Sequence, residues 1–340
     1  MVNQQHRYNA RQLLLHLHPS DRIVVVLLFL AVLLAAVRLP VVGESLLSHL
    51  QLHAALLAGF VGLVAGWTRW ERGRWVPILR PAVTVAVIFI CYTSLGKLGV
   101  AAWPGGAEPP YRADAILSRW DSRLFGCDPT LWIQQFQTPG WVEFFSFIYA
   151  AFIPYIYISM ILGCLGRPPL ERDQFLTGWV LTYALSYLGY MLVPAHGPII
   201  GRAADYTVTL QGGFFYEIVQ RGIQAIGGLQ GVFPSLHAGG SVYLCLFDLQ
   251  TNRLRGLTYL PMVLLIYAST LMLRYHYVVD LIAGTMIAAG CIPLGRWVFL
   301  RWVRQREAGG LPALPGGESD VVPDLSSDGP AGAAPLLSAD

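Results

Sequence analysis

Charge is scarce in this chain. Only 13% of its 340 residues are Asp, Glu, Lys or Arg, 55% are hydrophobic, and the mean hydropathy is +0.52. An ordinary soluble domain is about 25% charged. The balance excludes a soluble globular protein and points to an integral membrane protein. A net charge of +3, spread between apolar runs, gives nucleic acid nothing to bind. Cysteine is sparse as well. The five, at 91, 127, 164, 245 and 291, form no CxxC pair and no Cys/His metal spacing. DxD and DxxD carboxylate pairs are also missing. Asp114, Asp121 and Asp128 lie seven apart, not in the tight clusters that bind Mg²⁺ through oxygen. A metal-dependent lipid transferase or glycosyltransferase therefore finds no support. No internal repeat of the solenoid kind is visible.

What the chain has in abundance is long apolar runs. A bilayer-spanning helix takes roughly 20 mostly apolar residues. Eight segments qualify, at about 23–42, 46–67, 76–100, 141–165, 175–193, 235–250, 256–273 and 277–300. The sixth is short. The first follows a basic stretch and resembles a signal peptide, but no small-residue cleavage site follows it, so it reads as a retained helix. Two long connections interrupt the series, 101–140 with an interfacial helix at its end, and 194–234, rich in Gly and aromatics. From Glu307 to Asp340 the chain is Gly/Pro/Ala/Ser-rich without Lys or Arg, and it is expected to be disordered.

With eight spans both termini share a side. That side collects fifteen of the 23 Lys and Arg residues, including Arg69, Arg72, Arg74, Arg80 and the group Arg296, Arg301, Arg304 and Arg306. The positive-inside bias places both termini in the cytoplasm and both long connections outside.

Three short stretches carry candidate chemistry. In "RYHYVVD" (274–280), His276 and Asp280 are four apart and share one helix face. An aspartate so placed fixes one imidazole nitrogen and leaves the other free; alternatively, the pair is a helix start at the water boundary. In "GVFPSLHAGGS" (231–241), Pro234 and Ser235 open a helix whose first-turn N–H groups favour phosphate, with His237 in that turn. The alternative is a capped interfacial turn. "YMLVPAHGPIIGR" (190–202) brings His196, Gly197 and Arg202 to the end of the fifth helix, where His196 alone reads equally well as a loop residue. The eight-helix arrangement puts all three on one membrane face.

"PSLH" and "RYHYVVDLIAG" resemble the second and third motifs of the type 2 phosphatidic acid phosphatase/haloperoxidase superfamily. "HYVVDLIAG", with "DSRLFG" and "PAHGP" upstream, is similar to the branch containing fungal inositol phosphorylceramide synthase and its bacterial relatives. The likeness covers about 76–300. It implies an all-α polytopic membrane bundle of about eight helices with a six-helix phosphatase-like core. The corresponding division is 1–75 as an N-terminal region with two added helices, 76–306 as the catalytic core, and 307–340 as the tail. The chain departs from the superfamily in two places. The first motif is missing at the end of the fifth helix; "RWVPILRP" (74–81) imitates it on the cytoplasmic side by coincidence. Ser269-Thr270 stands where Ser-Arg is usual, with Arg274 just ahead of His276.

What the resemblance implies is phosphoryl transfer through a histidine, without metal or other cofactor. His276 is the expected nucleophile, Asp280 its orienting partner and His237 the general acid and base. Arg274, Arg202 and Ser235 are expected to hold the phosphate, His196 and Gly197 to line the site, and Asp121 to recognise the head group. For Asp121 a turn packed over the bundle is an equal reading. The expected substrate is a phospholipid or lipid phosphate in a bacterial plasma membrane, split on the extracytoplasmic side. The synthase-like motifs favour transfer to a lipid or sugar alcohol; water as acceptor would make a lipid phosphate phosphatase. A transporter or scramblase would explain the helices but not the histidines and aspartate.

Overall fold

The computed structural model describes residues 15–69, 76–103, 105 and 112–314, and among these every regular element is a helix. The helices of three or more turns are α1 (Pro19–Val42), α2 (Leu47–Arg69), α3 (Val76–Ala101), α4 (Asp114–Phe125) and α5 (Pro139–Leu165). They continue with α6 (Pro169–Leu192), α7 (Phe214–Ala225), α8 (Leu236–Thr251), α9 (Arg253–Met272) and α10 (Val278–Ala308). Seven of these segments are long and apolar enough to cross a bilayer: all but α4, α7 and α8. The fold is an all-α polytopic bundle, as expected.

The short sixth span is α8. Its 16 residues reach about 24 Å at 1.5 Å per residue. One end, at Ser235, meets the start of α10, where the Ser235 N–H donates to the Asp280 carbonyl at 3.0 Å. At the other end the Asp248 carboxylate holds Arg167, just beyond α5, and Arg255 in the first turn of α9. Twelve of its residues are buried. Enclosed by other helices, α8 needs no lipid-facing length, which is why it is short.

Capping residues fix several boundaries. Pro19 opens α1, where the His18 ring accepts the Ser20 N–H at 3.2 Å. Gly43, at φ 87°, stops it. Asn252 alone separates α8 from α9 and caps α9 by accepting the Arg255 N–H at 3.1 Å. Side chains such as Val41, Leu165, Leu264 and Met286 stay exposed on the outer faces. Apolar residues there belong against lipid, whose core leaves backbone groups to be satisfied within helices.

The centre is tight. A Cβ on Gly284 of α10 would fall 2.2 Å from the Ser235 carbonyl oxygen, and one on Gly295 would fall 2.4 Å from the Gly178 Cα of α6. Only residues without a side chain let α10 approach its neighbours this closely.

Contacts sort the helix ends into two sets at opposite ends of the bundle. At the terminal end Asp21 of α1 pairs with Arg80 of α3 at 3.2 Å, and Arg306 donates to the Leu15 carbonyl at 2.7 Å. At the other end Arg38 donates to the Ala102 carbonyl at 2.8 Å, and Trp103 to that of Met191 at 3.1 Å. Arg80, within the "RWVPILRP" stretch, is thus at the end away from His237 and His276. The expected disordered tail is corrected in its first residues. Helix α10 runs on to Ala308, Arg306 donates to the Pro312 carbonyl, and Leu314 packs with Phe299, Trp302 and Val303. The rest of that tail, 315–340, lies outside the described residues, as do Arg7, Arg11, Arg72 and Arg74.

Candidate active site

Two helix starts meet at the end of the bundle away from the termini. Ser235 caps α8, its hydroxyl accepting the Ala238 N–H at 3.3 Å, and so fixes the first turn that carries His237. Tyr277 begins α10, and the Asp280 carboxylate returns to accept the Tyr277 N–H at 2.9 Å. The same Asp280 oxygen lies 3.2 Å from His276 Nδ1. A carboxylate can only accept, so the proton of His276 sits on Nδ1. Its Nε2 lone pair then faces Ser235 Oγ at 3.1 Å and His237 Nδ1 at 3.3 Å. The two imidazoles meet edge to face, with ring centres 5.5 Å apart. Burial, reinforced by the neighbouring ring, holds the His276 pKa well below the ordinary imidazole value. At neutral pH its nitrogen is therefore an available nucleophile.

Arg274 reaches this end from a bent backbone. Its φ is +62°, a left-handed conformation that costs an L-residue about 1–2 kcal/mol. The turn is held by the Thr270 carbonyl, which accepts the Tyr275 N–H at 2.8 Å and the His276 N–H at 3.3 Å. The guanidinium donates to Gln137 and to the Val208 carbonyl, and it lies 3.7 Å from the centre of the Tyr206 ring. Among the described residues no carboxylate pairs with it. A buried cation with neutral partners keeps its charge for an anion.

Arg202 differs. Its guanidinium is shared between Asp128 at 3.0 Å and Asp205 at 2.5 Å, with Ser118 as a third partner. Two carboxylates already balance its charge.

Helix α4 braces the site from outside. Asp114 accepts the N–H of His196 at 3.1 Å and of Gly197 at 2.9 Å, and the Tyr277 hydroxyl at 3.2 Å. Two turns on, Asp121 accepts the N–H groups of Val278 and Val279, each at 2.8 Å. Asp121 is completely buried, and both its oxygens are engaged by the start of α10. Desolvation raises its pKa to about 6 even against these two hydrogen bonds. Gly197 must be glycine: its φ is +82°, and a Cβ would fall 2.5 Å from the Tyr275 carbonyl oxygen.

Sequence reading missed Gln137, Tyr206 and Asp114. The first two carry no motif. Asp114 and Asp121 did carry a signal: seven residues apart, they share one face of a helix. Among the described residues no three His, Cys, Asp or Glu side chains converge as metal ligands do.

Fold and site together define a polytopic membrane protein with a buried His–His–Asp set and, two residues before His276, a buried arginine whose partners are neutral. The chain belongs to the PAP2 superfamily, whose sequence profile matches residues 115–294, just over half of its length. It is also similar to a PA-phosphatase related-family protein of Dictyostelium discoideum, 31% identical over 126 residues. That match takes in 36% of this chain and 23% of the relative, so the chain spans about a quarter of the relative's length. No solved structure matches it significantly.

Proposed function

We propose that the protein moves a phosphorylated head group from a phospholipid donor, itself a phosphodiester, to a lipid or sugar alcohol, by way of a phosphohistidine on His276. One observation supports this reading above the others: His276 presents a lone pair to His237 while Asp280 holds its opposite nitrogen. In the first step His276 Nε2 attacks phosphorus, the bond from phosphorus to the alcohol oxygen breaks, and His237 gives that oxygen a proton. In the second, the acceptor hydroxyl gives its proton to His237 and its oxygen displaces the imidazole. The phosphoryl group has to enter between the rings, so their 3.3 Å contact opens on binding. Arg274 and the first-turn N–H groups of α8 stabilise the equatorial oxygens. Asp280 orients the nucleophile and stabilises its positive charge, and Asp121 holds the helix turn that carries Asp280.

Transfer in the manner of the inositol phosphorylceramide synthase branch is favoured by the form of "HYVVDLIAG" and "DSRLFG". Water as acceptor would give a lipid phosphate phosphatase, which the name of the Dictyostelium relative favours. Residues 76–306 form the catalytic core in this reading. The basic residues at the terminal end put that end in the cytoplasm and the site outside, in a bacterial plasma membrane. The test is mass spectrometry of lipids after incubation with radiolabelled donors, with and without alcohols, plus acid-labile label on the protein. Label on His276 and a new phosphodiester support transfer. Release of inorganic phosphate alone selects the phosphatase, and absence of label and turnover with every donor overturns the mechanism.

A further inference from the structure

An apolar cavity of about 470 Å³ lies within the bundle. Its walls come from α3, α5, α6, α7 and α8, and include Phe89, Tyr92, Tyr157, Ile218 and Ile223. Its lining holds no Asp, Glu, Lys or Arg, and it ends on His237. There Tyr149 and Phe152 flank the imidazole, with ring centres at 4.8 and 4.5 Å. His276, Asp280 and Arg274 do not line it. The cavity therefore serves one histidine of the pair and not the other.

Helix α7 forms one wall through Ile218, Val219, Gly222 and Ile223. Its opposite face carries the exposed Glu217–Arg221 pair. Glu143 of α5 fixes its start by accepting the N–H groups of Gly213 at 2.7 Å and Phe215 at 2.8 Å. Gly227 and Gly228 follow its end, at φ 87° and 93°. It is an amphipathic cover secured at one end by a carboxylate.

In an in-line displacement the leaving oxygen stands opposite the nucleophile, on the side of the general acid. Granted the roles proposed above, on which this step rests, whatever occupies the cavity is bonded to the oxygen that His237 protonates. We infer that this cavity is the seat of the long hydrocarbon chain of a lipid alcohol, lying beneath α7, and that the leaving and the incoming lipid alcohol occupy it in turn. The chemistry recognised is hydrocarbon against aromatic rings. The polar head being transferred stays on the other side of phosphorus, with Arg274. Transfer between two lipid alcohols then runs by double displacement, because the first alcohol vacates the seat before the second enters.

Gly222 gives a clean plug. A Cβ added there meets nothing within 4 Å, and glycine inside a helix is the less stable choice. In Gly222→Trp, the turnover of a long-chain lipid phosphate relative to a short, water-soluble phosphate ester is expected to fall at least tenfold, whereas Arg221→Trp, on the opposite face of α7 and outside the cavity lining, stays close to wild type. A long-chain lipid phosphate bearing a terminal diazirine should label peptides from 149–157 and 218–226 in the wild type and lose that labelling in Gly222→Trp. An unchanged turnover ratio, or labelling confined to other peptides, overturns the seat. Labelling of the cavity by a protein that turns over no phosphate ester would keep the seat and overturn the proposed reaction instead.

Discussion

Asp121→Asn would show how far the reaction depends on a buried carboxylate that holds a helix start. Both carboxylate oxygens of Asp121 receive backbone N–H groups at 2.8 Å, from Val278 and Val279. Asparagine has one acceptor oxygen, so its NH₂ would face the second N–H, donor against donor. A hydrogen bond to a charged group contributes about 1.5–3 kcal/mol. If that loss appears wholly as misplacement of the first turn of α10, kcat falls about 10- to 100-fold, at 1.4 kcal/mol per tenfold. KM should change little. Acidity gives a second readout. The Asp121 pKa is raised to about 6, so the wild type should lose activity as pH falls through 6 and the second acceptor is protonated. The sign for stability is opposite. A carboxyl whose folded pKa is raised favours folding below its unfolded value near 4 and loses that contribution as pH rises through 6. Acid between pH 6 and 4 should therefore lower activity without lowering Tm. In Asp121→Asn the activity step near pH 6 should be gone. The assay is initial rate on a lipid phosphate in detergent from pH 4.5 to 8, with thermal unfolding alongside. Wild-type kcat and an unchanged acid limb in the variant would refute the reasoning.

Three further outcomes are expected. His276→Ala should abolish turnover and phosphoenzyme, and Asp280→Asn should keep the fold while losing most of the rate; wild-type activity in the first would end the histidine mechanism. Vanadate, which adopts a five-coordinate form like phosphorus under attack, should inhibit competitively while EDTA leaves activity intact. Arg274→Ala should weaken that inhibition more than Arg202→Ala does, since Arg202 already has two carboxylates and Arg274 has none; loss of turnover on chelation with recovery on adding divalent cation would overturn the metal-free route. Gly284→Val should lower stability by about 1–3 kcal/mol, read as a fall in Tm, because its side chain would strike the Ser235 carbonyl, and an unchanged Tm would show that the crossing gives way.

The spans were legible because hydropathy needs only length and composition. Helix α8 was read as short from its sequence, and the reason lies in its neighbours: buried on nearly every side, it faces no lipid. His276 and Asp280 were legible because a four-residue spacing fixes a shared face without tertiary knowledge, and His237 because Pro234 and Ser235 mark a helix start. The partners of Arg274 were not. Gln137 sits 137 residues before it in the chain, and no period or motif connects them. Asp114 and Asp121 were visible as a spaced pair, but which groups they accept depends on how α4 lies across the bundle. The cavity was equally hidden, because five helices contribute to it and hydropathy does not report their crossings.

The bracing by α4 also sets an order of assembly. Asp114 finds its partners at His196 and Gly197, and Asp121 at Val278 and Val279, 157 and 158 residues after it. During synthesis α4 is made long before either loop exists, and its acids remain hydrated until those N–H groups arrive. The loop at 194–202 can dock once α6 is in place, whereas the turn at 278–280 must wait for α10. The end that carries His237 and His276 thus matures last, with the insertion of the final span. A nascent chain halted before that span would carry Asp121 with no helix start to cap, its carboxylate left to water.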